Sequence, residues 1–192
     1  MNVSSLTGAA LAAALVAAAS VLAFSAVPQL FVWAAFVGWA SYDHSGATPQ
    51  AALRSSAALV FGVVMAWAVG IVVAAGTLPL SAPLATALTA GIASFLIVRA
   101  SGAPILSIVP AAFYGFASTF AYLSLVPGAF TIGWDNAIVT VPISLLIGTG
   151  LGIAQGWLAR LLVGDGAGGA RQLHLDGSPV AHGDSRQAQS LR

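Results

Sequence analysis

Apolar residues run almost unbroken through six stretches of the chain, residues 6–24, 27–42, 52–75, 82–98, 103–125 and 136–163, with short polar or glycine-rich breaks between them. A helix needs roughly 20 residues to cross a bilayer, so each stretch is read as a membrane span. The second is short and the sixth is longer than required. From residue 164 onward the apolar pattern stops, and Gly, Ser, Asp and Gln dominate to the end. The sequence predicts an all-α polytopic membrane domain over 1–163 and a disordered tail over 164–192.

Composition strengthens that reading, because 59% of the residues are hydrophobic and only 6% are charged, against about 25% charged in soluble proteins. The six basic residues also sort to one side of six crossings. Arg54 follows the second span, Arg99 the fourth, and Arg160, Arg171, Arg186 and Arg192 lie at or after the end of the sixth. The opposite loops hold only Asp135. The positive-inside rule then places both termini in the cytoplasm, in a bacterial inner membrane. The first span has small residues after it, as a cleavable signal does, but no basic residue before it, and it is expected to be retained.

Small residues recur at every fourth position in two places: Ala58, Gly62, Ala66, Gly70, and 86 residues later Ser144, Gly148, Gly152, Gly156. Such a ladder lines one helix face and lets two backbones approach closely in lipid. Ahead of each ladder stands a Val-Pro-x-x-Phe pattern, at Val27, Pro28, Phe31 and at Val109, Pro110, Phe113, which is 82 residues apart. The expectation is two three-helix repeats, about 6–75 and about 82–163. An odd number of spans per repeat makes them inverted, related by an axis in the membrane plane.

Pro28 and Pro110 are read as interruptions of spans two and five, where a lost backbone donor has to face protein or water. Both spans carry aromatic stripes. Phe31, Trp33 and Phe36 in one and Phe113, Phe116 and Phe120 in the other are candidate pore-lining residues, together with Pro28, Gln29, Ser107, Pro110 and Thr119. Trp39 and Tyr42 are read as interfacial belt residues. Asp43, His44 and Arg54 are candidate coupling groups at the end of span two. The two ladders are assigned to helix packing. Two ladders cannot both be fully buried within one thin six-helix monomer whose pore is lined by spans two and five, so they also predict a homo-oligomer.

The chemistry available is narrow. Without cysteine there is no disulfide, thiolate metal site or cysteine nucleophile. The absence of a histidine cluster, a buried carboxylate pair or a serine constellation points away from an enzyme, a metal site or a cofactor. Nothing suggests nucleic acid, so the expected partners are the lipid bilayer and a small-molecule solute. A passive channel for a small, largely uncharged solute of the urea, amide or ammonia class is the leading expectation. Its rivals are a carrier exporting small organic acids through Asp43, His44 and Arg54, and a non-conducting docking subunit.

The runs FVWAAFVGWASYDHSGA, TAGIASFLIVRA and LSIVPAAFYGFASTFA resemble the YcdZ-like family of small bacterial inner-membrane proteins, over roughly residues 27–162. That resemblance implies a six-span inner-membrane protein and no established activity. WAAFVGWASYDHSGATPQAALR with the ladder after it is also similar, more distantly, to the membrane halves of the fusaric-acid-resistance efflux family.

Overall fold

A computed structural model describes residues 4–131 and 133–163, and all regular structure among them is helical. The order is α1 (Ser5–Ser25), α2 (Val32–His44), α3 (Pro49–Ala74), α4 (Ala82–Ala100), a 3-10 turn (Pro104–Leu106), α5 (Val109–Leu125) and α6 (Ala137–Val163). The tail expected over 164–192 lies outside the described residues. Helices α1, α3, α4 and α6 are long and apolar enough to cross a membrane. They make the chain a helical membrane protein. Helix α5 is shorter, at 17 residues, and α2 has only 13, about 20 Å at the α-helical rise.

The helix starts follow local chemistry. Ser4 Oγ accepts the Thr7 N–H at 3.2 Å to open α1, and Thr48 Oγ1 accepts the Ala51 N–H at 3.0 Å to open α3, each satisfying a donor that has no partner within its helix. Pro49 and Pro110 stand in the first turns of α3 and α5. A missing N–H costs nothing there. Pro110 therefore starts a helix and does not interrupt one, and Pro28 lies in the turn that precedes α2. The helices begin later than the apolar stretches do, at residue 32 in place of 27 and at 109 in place of 103. The proline that does sit inside a helix is Pro142 in α6.

Four helices form the core, with α5 packed on α3, α2 on α6, and α3 against α6 in the middle. Helix α1 lies outside on α6, and α4 lies outside on α3. The centre is filled by Ala58, Leu59, Val63, Ala111, Ala112, Val141 and Leu145, all at 2% exposure or less. Leu11, Leu15 and Leu22 of α1 and Leu84, Leu88, Ile92 and Phe95 of α4 are exposed. Those outer faces suit lipid.

Candidate functional site

Two close helix crossings define the centre of the molecule. On α2 and α6, a side chain at Gly38 would overlap the carbonyl oxygen of Leu145, and one at Gly148 would overlap that of Ala35. On α5 and α3, Gly115 meets the carbonyl oxygen of Leu59 in the same way, and Gly62 that of Ala112. The two crossings use matching positions. Ala35 and Gly38 precede Ala112 and Gly115 by 77 residues, while Leu59 and Gly62 precede Leu145 and Gly148 by 86.

A sequence signal for this register exists. Residues 34–41 read AAFVGWAS and residues 111–118 read AAFYGFAS, also 77 apart. The Val-Pro-x-x-Phe match at 82 sets these segments five residues out of step with the contacts. The difference between 77 and 86 is nine residues, carried by the extra last turn of α5 and the longer connection to α6.

Both ladders are spent inside the chain. Ala58, Gly62, Ala66, Ser144, Gly148 and Gly152 are buried, and Gly70 faces Phe130 and Leu123. Only Gly156 of the eight opens onto free space. The ladders thus supply no leftover face, and the inference from them to a homo-oligomer loses its basis. Trp39 and Tyr42 are not belt residues either. They are 8% and 7% exposed and fill the space over Gly152, where a Cβ would come within 2.9 Å and 2.7 Å of their rings.

Helices α2 and α5 touch through two aromatic contacts, one near each end. Phe31, at the start of α2, meets Tyr122 edge-on at 5.4 Å, and His44, at its other end, meets Tyr114 edge-on at 6.4 Å. Tyr122 is further held by its hydroxyl, which donates to the Asp135 carbonyl at 3.0 Å. The Phe31 N–H donates to Ser144 Oγ on α6 at 2.9 Å.

The two aromatic stripes do not face each other. Phe36 stacks on Trp39 at 6.1 Å and turns to α1, and Trp33 is largely exposed. Phe116 and Phe120 contact each other at 4.9 Å. Phe113 and Phe116 pack on the core, while Phe120 lines a cavity of about 280 Å³ shared with α3 and α4. Pro28, Gln29 and Ser107 are exposed on the leads into α2 and α5, and Pro110 is exposed in the first turn of α5. Thr119 is buried and donates to the Gly115 carbonyl at 2.9 Å, a bond within its own helix.

Asp43, His44 and Arg54 point to different surroundings. Asp43 lines a cavity with α1, His44 faces Tyr114, and Arg54 is exposed on α3. Among the described residues no three His, Cys, Asp or Glu side chains stand together to hold a metal ion. One buried hydroxyl, that of Ser118 on α5, has no partner among the described residues.

A bundle of apolar helices around a small-residue core defines an integral membrane protein. Residues 10–160 match the family described as Protein of unknown function (DUF1097), and the chain belongs to that family. No curated protein and no solved structure matches the chain. The match carries no activity, and it supplies neither the YcdZ-like name nor the fusaric-acid-resistance likeness.

Proposed function

We propose that the chain crosses the membrane six times as two inverted three-helix repeats, and that it passes a small, largely uncharged solute of the urea, amide or ammonia class along the seam between α2 and α5. The observation that carries this reading is the duplicated glycine crossing, Gly38 with Gly148 and Gly115 with Gly62. A contact made twice at matching positions in two three-helix halves is what inverted duplication produces, and duplicated halves enclose solute paths at their interface. Helices α2 and α5 occupy equivalent places in the halves and are the two short ones. Each also has a non-helical lead, and such backbone at membrane depth has to face protein or water.

In this reading the Phe31–Tyr122 and His44–Tyr114 contacts are the two closures of the path, and Gln29 and Ser107 on the leads replace part of the solute's water. The arginine distribution puts the His44 end toward the cytoplasm. Stopped-flow light scattering on proteoliposomes tests it, with urea, acetamide, glycerol, ammonium and acetate applied in turn, with and without a pH gradient. Entry of one neutral solute that ignores the gradient and accelerates in Phe31→Ala supports the path. That variant removes a ring and keeps the N–H bonded to Ser144. Flux no faster than in empty vesicles for every solute, in both proteins, would sink the reading.

A further inference from the structure

Phe36, Trp39 and Asp43 stand at spacings of three and four residues on one side of α2, and with Ala40 and with Ala13, Ala14 and Ala17 of α1 they line an open lateral groove of about 440 Å³. The Phe36 and Trp39 rings stack nearly parallel, 15° apart. The carboxylate of Asp43 is the only ionisable group in the lining, and α1 carries no ionisable residue along its whole length. Nothing on the facing helix can pair with it.

Asp43 is exposed, one residue before the end of α2, and the other residues lining the groove with it carry no charge. Its carboxylate is therefore accessible, and a cation entering the groove meets an opposite charge with no competing one. The Phe36 ring, exposed in the same groove, attracts a cation electrostatically through its face.

We propose that this groove binds an organic monocation with an apolar body, its ammonium group on the Asp43 carboxylate and its body against Phe36 and Trp39. The site is separate from the α2–α5 seam, on the other side of α2. Its occupation does not depend on whether the seam conducts.

The probe is benzyltrimethylammonium, with neopentylbenzene as its uncharged counterpart of the same shape. Binding is measured by equilibrium dialysis on the full-length protein in phosphatidylglycerol vesicles, which contain no amine headgroup. The expected result is saturable uptake of the cation above that of protein-free vesicles, weakened by about tenfold or more in Asp43→Asn, while uptake of the neutral compound is the same in both proteins. Ala14→Leu, on the exposed face of α1, narrows the groove and leaves every α2 residue unchanged, and should weaken binding. This second variant decides the matter if Asp43→Asn fails to fold. Displacement of the probe by added phosphatidylethanolamine would identify a lipid amine as the natural occupant, and no displacement a free one. Cation binding equal in Asp43→Asn and the parent after subtraction of protein-free vesicles, or full binding in Ala14→Leu, would overturn the proposal.

Discussion

The hydroxyls of Ser41 on α2 and Ser55 on α3 lie 2.7 Å apart, both fully buried. Ser118 on α5 stands 77 residues after Ser41 and has no such partner. The position 86 residues after Ser55 is Val141, a methyl-bearing side chain that can accept nothing. One half of the molecule therefore satisfies a buried hydroxyl that the other leaves alone. An unmatched buried donor is costly, while a matched pair in a membrane protein contributes modestly. Ser55→Ala should destabilise by about 1 kcal/mol, because it orphans Ser41. Ser118→Ala should be neutral or slightly stabilising. Unfolding by sodium dodecyl sulfate in mixed micelles, followed by circular dichroism, compares the two. A larger loss for Ser118→Ala would contradict the assignment.

The glycine crossings make a second pair of tests. A Cβ at Gly62 or Gly148 overlaps a backbone carbonyl oxygen, which cannot rotate away as a side chain can. Gly62→Ala and Gly148→Ala should each cost about 1–3 kcal/mol by forcing the helices apart. Gly150, two residues along α6, has nothing within 4 Å. Gly150→Ala should stabilise by about 0.5–1 kcal/mol through reduced backbone freedom in the unfolded chain. The same micelle unfolding assay reads all three, and similar losses at Gly62 and Gly148 are required if the two crossings are equivalent.

Much of the fold was legible because lipid makes the signal coarse. Long apolar runs marked the helices, and fourfold spacing of Ala, Gly and Ser marked the close-packing faces of α3 and α6. What was not legible depended on partners distant in sequence. Pro110 looks the same in a sequence whether it opens a helix or breaks one, and only the non-helical lead before Val109 decides. Trp39 and Tyr42 resemble an interfacial belt until Gly152 of α6 is seen to vacate the space they fill. Asp43 looks like a loop residue because α2 ends next to it, and only the placement of α1 beside α2 shows the groove it lines. The register of the halves was readable in AAFVGWAS and AAFYGFAS, and the more conspicuous proline pattern obscured it.

Ser144 belongs to a packing ladder and also does polar work. Its Oγ accepts the Phe31 N–H at 2.9 Å and donates to the Thr140 carbonyl at 2.8 Å. The first donor lies at the start of α2, where no helical carbonyl is available to it. Ser144→Ala keeps the small size and removes this acceptor. It should cost about 1 kcal/mol and raise amide hydrogen exchange at Phe31 and the first turn of α2. Exchange unchanged in that turn would show that another group satisfies the N–H.

Asn136 ties the connection between α5 and α6 to the bundle. Its Oδ1 accepts the Trp67 indole N–H at 3.1 Å and the Ile138 N–H at 3.0 Å, and its Nδ2 donates to the Thr131 carbonyl at 2.9 Å. Asn136→Ala removes all three bonds and leaves the Trp67 indole without its acceptor. Asn136→Asp keeps the acceptor and loses only the bond to Thr131. The connection exposes Phe130 and Trp134, both chymotrypsin sites. In detergent micelles Asn136→Ala should be cut in this connection about tenfold faster than the parent, a change in local opening of about 1.4 kcal/mol. Asn136→Asp should fall between the two. Equal rates for the parent and Asn136→Ala would mean that Tyr122, through its bond to the Asp135 carbonyl, holds the connection without help from Asn136.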